Sequence, residues 1–218
     1  MWNLTLSADS RTPSMYAWFL LGAAFLCASS RSARGQVFVL GSDRSIGEYS
    51  LSGDLLGPKF TTTVSGPGGL AVVGNDLFVS DNVHGNIHEY ANGTEISTPL
   101  STNAFGGGAL ASEGNTIFMA QNGYYSQYNN ITDYDASSGD VINSSLIVGG
   151  IFPWCMAVEG NYLFVASDTF NPTTHPGFIS EYNTDGTLVN ASLITGLPPV
   201  YGLAVEGDDL FVPNFNSH

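Results

Sequence analysis

"GLAVVGNDLFVSD" (residues 69–81) is an extended run, a Gly-Asn pair and a second extended run, and three downstream stretches align with it without a gap. They are "ALASEGNTIFMAQ" (109–121), "CMAVEGNYLFVAS" (155–167) and "GLAVEGDDLFVPN" (202–214). The aligned phenylalanines, Phe78, Phe118, Phe164 and Phe211, are spaced by 40, 46 and 47 residues. Phe38 in "QVFVLG" lies 40 residues before Phe78 and fits an earlier copy whose first half is missing. Within each copy the two runs are joined at the length of a tight hairpin, where glycine supplies the positive φ that such turns require. The partial copy and the first three full copies are followed by "IGEY" (46–49), "IHEY" (87–90), "ITDY" (131–134) and "ISEY" (179–182) in turn. Then come a turn containing Gly53, Gly93, Gly139 or Gly186 and a fourth extended stretch, clearest in "DVINSSLI" (140–147) and "TLVNASLI" (187–194). No window after residue 35 places apolar residues at helical spacing. Four short strands every 40 to 47 residues match one blade of a β-propeller. The expected fold class is therefore all-β, a β-propeller of four-stranded antiparallel blades with about four blades present in residues 36–218. Its units start near residues 36, 69, 109, 155 and 202.

Residues 1–35 stand apart. "MYAWFLLGAAFLCA" (15–28) is uncharged, follows Arg11, and has the length of a signal-peptide core rather than of a membrane span. Cleavage is expected before Gln36, with Ala28-Ser29-Ser30 as the second choice. No later run is long and apolar enough for a membrane helix, so the expectation is a secreted chain, extracellular or periplasmic, not inserted in a membrane after cleavage. Beyond residue 35 only Arg44 and Lys59 carry positive charge, whereas 19 Asp and Glu residues are present and only Asp9 precedes that point. Such a surface repels phosphate backbones and anionic headgroups, which excludes nucleic-acid binding and leaves proteins, peptides, carbohydrates and cations as partners. Cys155 is the lone cysteine beyond residue 35 and reads, within "WCMAV", as a small buried core residue. A chain beginning at a second strand needs only a first strand from its far end to close a ring. This one supplies "GLAV" and then "LFVPNF", so a fragment of a six- or seven-bladed ring is expected, against a four-bladed ring with a redundant strand.

The repeat resembles the NHL-repeat and gluconolactonase-like propellers, whose blades carry a pattern of the type G-[LI]-A-V, L-[FY]-V-[AS]-[DN] and I-x-x-[FY]. The resemblance covers essentially residues 36–218 and implies the fold more strongly than an activity. In the lactonases it brings to mind, a divalent ion at the channel mouth polarises the substrate carbonyl and activates water. These sites also use a glutamate on an innermost strand, and no first strand here carries an acid within its inward run.

Acids present in every unit, such as Glu48, Glu89, Asp133 and Glu181, belong to the scaffold and read as solvated strand shoulders. Residues that break the pattern are more informative. The loops joining second to third strands and those joining consecutive blades should share one face around the channel. The long ones, 120–130 and 167–177, mark the binding side. Tyr124, Tyr125 and Tyr128, interleaved with amides, and Trp154 in an inter-blade loop form an aromatic set suited to stacking on a sugar or peptide. Asp43, Asp81, Asp168 and Asn214 fall at or near second-strand ends, where their oxygens would suit Ca2+, although Asp and Asn also initiate turns there. The expected function is a non-catalytic binding or interaction module with no certain cofactor. The alternative is a metal-dependent lactonase-like hydrolase or lyase using Asp81 and Asp168.

Overall fold

The computed structural model describes residues 25–26, 36–41, 43–57, 60–96, 100–101, 107–121, 129–149, 151–167, 176–198 and 200–213. Every element among them is a β-strand, and every pairing is antiparallel. Blade 1 contains β1 (Phe25–Leu26), β2 (Gln36–Leu40), β3 (Ser45–Ser50) and β4 (Phe60–Thr61). Blade 2 contains β5 (Pro67–Val73), β6 (Asp76–Asp81) and β7 (Asn86–Ala91), with β7 paired to two short outer pieces, β8 (Thr94–Glu95) and β9 (Leu100–Ser101). Blade 3 runs β10 (Gly107–Glu113), β11 (Thr116–Gln121), β12 (Asn130–Asp135), β13 (Val141–Val148). Blade 4 runs β14 (Pro153–Glu159), β15 (Tyr162–Ser167), β16 (Gly177–Asn183), β17 (Leu188–Leu197). A final hairpin, β18 (Ala204–Glu206) and β19 (Asp209–Phe211), forms a fifth, two-stranded sheet. The chain is thus an all-β propeller of sequential four-stranded blades. No strand pairing joins the first sheet to the last among the described residues.

Two local features bear on the sequence reading. Phe25 and Leu26, inside the apolar run read as a signal-peptide core, pair with Leu40 and Val39 and occupy the innermost position of blade 1. The segment "GLAVEGDDLFV" does not close blade 1 but opens its own sheet, whose Leu203, Leu210 and Val212 pack onto Ala166 and Ile179 of blade 4.

The turns follow the expectation. Gly74, Gly114, Gly160 and Gly207 have φ of 63°, 57°, 57° and 60°, while the residues after them keep negative φ, which is the type II′ geometry that matches strand twist. In "ANGT" both Asn92 and Gly93 are left-handed, at φ 50° and 76°, giving a type I′ turn between β7 and β8.

The core lies between blades, because successive side chains of a second strand point to opposite faces. Leu77 and Val79 join Leu40, Ile46, Val64 and Leu70 in the layer between blades 1 and 2. Phe78 turns the other way, onto Ile87, Leu110, Ile117, Met119 and Tyr134. One blade on, Phe118 and Ala120 meet Met156, Leu163, Val165 and Tyr182. Near the axis the backbones of β5 and β10 approach so closely that a Cβ on Gly69 would stand 2.6 Å from the Leu110 nitrogen, so only glycine fits. Two buried hydroxyls cross the same seam: Ser80 donates to the Gly108 carbonyl at 2.7 Å and Ser112 to the Val72 carbonyl at 2.9 Å.

Third-strand residues are drier than the sequence suggested. Tyr90 and Tyr134 are buried, and the Tyr90 hydroxyl accepts the Thr63 amide at 3.2 Å. Asp133, read as a solvated shoulder, is only 6% exposed, because the bulged outer strand folds over it. Burial pushes its carboxyl above the usual range, and the Asn143 amide only partly offsets this.

Candidate functional site

The end of each blade that surrounds the channel mouth is built from the start of its first strand and the end of its second. Pro67 pairs with Asp81, Gly107 with Gln121 and Pro153 with Ser167. In all three blades the first strand carries one extra residue just inside that pair: between Pro67 and Leu70, between Gly107 and Leu110, and between Pro153 and Cys155. A bulge of this kind bends the strand and re-aims a side chain. The position preceding each aligned sequence block is Gly68, Gly108, Trp154 and Tyr201 in turn, so two blades offer no side chain and the next two offer an aromatic ring.

At blade 4 the bulge expels Trp154 to the surface while Pro153 and Cys155 on either side are buried. Its indole meets Tyr201 edge-to-face, with centroids 6.2 Å apart and planes at 71°, and the two residues remain 38% and 49% exposed. Cys155 anchors the backbone beneath them, its thiol donating to the Val200 carbonyl at 3.5 Å. Cys155 is a buried thiol, as the sequence indicated. Trp154 was legible as a candidate, but Tyr201 was not named. The signal that would have found it is its place in the repeat, 47 residues on and directly before the aligned block.

At blade 2 the same place is closed. A Cβ on Gly68 would stand 2.5 Å from Asn82 Nδ2, so the turn after β6 lies over the bulge. Asp81 holds that turn together. Its Oδ1 accepts the amides of Val83, Gly66 and His84 at 2.8, 3.2 and 3.3 Å, and its Oδ2 accepts the Ser65 amide at 3.3 Å and meets His84 Nδ1 at 2.8 Å. Burial pushes the Asp81 carboxyl up, but the His84 ring and these amides outweigh it and hold it below the usual carboxylate range. Asp43 plays a smaller version of the same part at blade 1, where Oδ1 accepts the Ser45 amide at 3.0 Å and its hydroxyl at 2.6 Å. Both described acids of the cation set therefore spend oxygens on turn donors. Among the described residues no group of three or more His, Cys, Asp and Glu side chains is gathered to hold a metal.

Tyr124, Tyr125, Tyr128, Asp168 and Asn214 lie outside the described residues. The strands that flank them do fix where two of these loops depart: Gln121 pairs with Asn130, and Ser167 with Phe178, at the mouth end of blades 3 and 4. A separate cleft of about 460 Å³ lies between blades 3 and 4, lined by Ile151, Pro176, Phe178, Ser180, Tyr182 and Thr195. The Ser180 hydroxyl within it is committed to the Ala191 carbonyl at 2.8 Å.

No protein-family model matches the chain, and no curated relative matches it by sequence. By structure it is similar to several solved β-propellers. Hydrazine synthase of Kuenenia stuttgartiensis superposes with a TM-score of 0.63 at 16% identity over 78% of this chain and 49% of that one. A chain of a nidogen/laminin complex gives 0.63 at 15% over 84% and 69%, and the WD40 propeller domain of Doa1 gives 0.59 at 15% over 82% and 57%. The chain thus spans about half the length of the first of these. At such identities the likeness speaks to the fold alone.

Proposed function

We propose that this chain is an exported, non-catalytic binding module, an NHL-like propeller that captures a protein, peptide or carbohydrate on the face bearing Trp154. The observation that carries this reading is the exposed Trp154 and Tyr201 pair, with Trp154 placed by a strand bulge at the end of the blades where the long second-to-third-strand loops also depart. Large, rigid aromatic surface held by a scaffold is the usual source of contact energy in a binding face. The use of a similar propeller in a nidogen/laminin complex supports protein recognition as one employment of the fold. Tyr124, Tyr125 and Tyr128, in the stretch between Gln121 and Asn130, are included in the proposed surface.

Trp154 is the only tryptophan beyond residue 35, so its fluorescence reports the site directly in the processed chain. Peptide and glycan libraries screened against the protein should yield ligands that alter this emission and bind about tenfold more weakly to Trp154→Ala. Ligands that bind the variant equally well would remove the pair from the site. Export is tested separately, by expressing the gene with its own first 35 residues. Recovery outside the cytoplasm with Gln36 at the N-terminus is expected, and retention with an intact leader would overturn it.

A further inference from the structure

We infer that the Trp154 and Tyr201 pair receives the cationic side chains of a lysine- or arginine-rich segment of a partner protein. The inference rests on the aromatic-face reading above and gives it a ligand class. Three observations converge on it.

The first is charge. The chain has five lysines and arginines against 19 acids, a formal net charge of −14, and Arg44 is the only Lys or Arg among the described residues. Arg44 sits in the turn between β2 and β3 of blade 1, so neither blade 4 nor the final hairpin carries a described Lys or Arg that would repel a basic ligand. A field of one sign over a surface concentrates ligands of the opposite sign and speeds their encounter.

The second is the geometry of the pair. An edge-to-face contact at 71° uses the face of only one ring, and both residues are more than a third exposed, so aromatic surface remains open to solvent. The face of an aromatic ring carries negative quadrupolar potential, attracts ammonium and guanidinium groups, and is most effective in tryptophan.

The third is the chain on either side of the pair. A sugar stacked on a ring also needs side-chain donors and acceptors beside it to bind its hydroxyls. The described residues adjoining the two rings along the chain are Phe152, Pro153, Cys155, Val200 and Gly202, which bring hydrocarbon and a thiol already directed at a backbone carbonyl, so the indole N–H and the phenol O–H are the polar side-chain groups these stretches offer. This composition suits the aliphatic stem of a lysine or arginine with its charged head over the rings.

The test is a calorimetric titration of the processed chain, with Trp154 emission as a second readout wherever that residue is kept, and with three probes: a (Lys-Gly)5 peptide, its (Glu-Gly)5 counterpart and a neutral linear hexasaccharide. The lysine peptide is expected to perturb the emission, to lose about tenfold in affinity between low and 0.3 M salt, and to bind about tenfold more weakly to both Trp154→Ala and Tyr201→Ala. Trp154→Phe should fall between wild type and Trp154→Ala, because phenylalanine keeps a weaker ring face. The melting curve of each variant establishes that it is folded. If the lysine peptide binds wild type and both alanine variants alike, charge alone acts and the inference is overturned. If only the hexasaccharide perturbs Trp154, the inference falls while the aromatic binding reading stands. If no probe perturbs it, both fall.

Discussion

Blades 2 and 4 are built from the same aligned sequence block, yet each treats its mouth and its rim differently. In blade 2 the mouth is shut: Gly68 lies under Asn82, and Asp81 gathers five donors into a tight turn. Its rim is two fragments of two residues each, of which the first is held by a side-chain chain: His88 Nδ1 meets Glu95 Oε1 at 2.7 Å, Glu95 Oε2 accepts the Thr63 hydroxyl at 2.6 Å, and Thr63 meets the Tyr90 hydroxyl at 3.0 Å. Blade 4 has a mouth that bears an exposed indole and a rim that is one strand of ten residues. Along that rim Asn190 turns its Oδ1 onto the Ser192 amide at 3.0 Å, as Asn143 does with Ser145 in blade 3, each at a register shift in the outer pair. Such shifts interrupt edges that would otherwise invite strand addition. The lesson is that the repeat fixes the ladder and the inter-blade layers. The freedom left to each blade is concentrated at the bulge residue and the outer strand.

The comparison can be broken most severely at the axis. Gly69→Leu should cost at least ~3 kcal/mol, because its Cβ meets backbone that has no room to yield. Urea melts should show a lower midpoint or a lost cooperative transition. A well-folded variant would mean that β5 and β10 are farther apart than described.

Next in size is the blade 2 turn. Asp81→Ala should lower stability by ~2–3 kcal/mol by orphaning its donors, against less than ~1 kcal/mol for Asp43→Ala in its exposed turn. The native Asp81 carboxyl titrates below its unfolded value of ~3.9, so its contribution is complete above that pH and disappears as pH falls through the lower native value. The difference in melting temperature between wild type and Asp81→Asn should therefore hold from neutrality down to about pH 4 and shrink below it.

Exchanging the mouth residues sharpens the contrast directly. Gly68→Trp meets the amide end of the exposed Asn82 side chain and should cost less than ~1 kcal/mol, whereas Trp154→Ala should cost ~1 kcal/mol, the size of one aromatic contact. A larger melting shift for Gly68→Trp would show that the turn backbone, and not only the Asn82 amide, closes the blade 2 mouth.

The smallest expected effect has the opposite sign. Burial raises the native Asp133 carboxyl, so the charged form opposes folding at neutral pH, and the opposition fades as pH falls through the raised native value toward ~3.9. Asp133→Asn should thus raise the melting temperature slightly at pH 7 and lose that advantage in acid.

Much of this fold was written in the spacing of four phenylalanines and in Gly-Asn or Gly-Asp pairs, because period-two strands and positive-φ turns are local demands on residue type. The burial of Asp133 was not legible, since it depends on how the outer strand bulges, and no local signal reports a bulge. The site was half legible. Trp154 stood out as an aromatic in a loop, while Tyr201 looked like the start of another repeat. Asp43 and Asp81 had a residue type shared by turn formers and cation ligands, and only the positions of the surrounding amides show where their oxygens are directed.

The two hydroxyls between blades 2 and 3 have a mechanical consequence. Ser80 reaches forward to Gly108 and Ser112 reaches back to Val72, so the seam is pinned at two heights by bonds running in opposite directions. Sliding one blade past its neighbour would stretch both pins at once, in addition to disturbing the packed layer around them. These two hydrogen bonds thus add directional resistance to shear at this joint and help keep the closed mouth of blade 2 in register with blade 3.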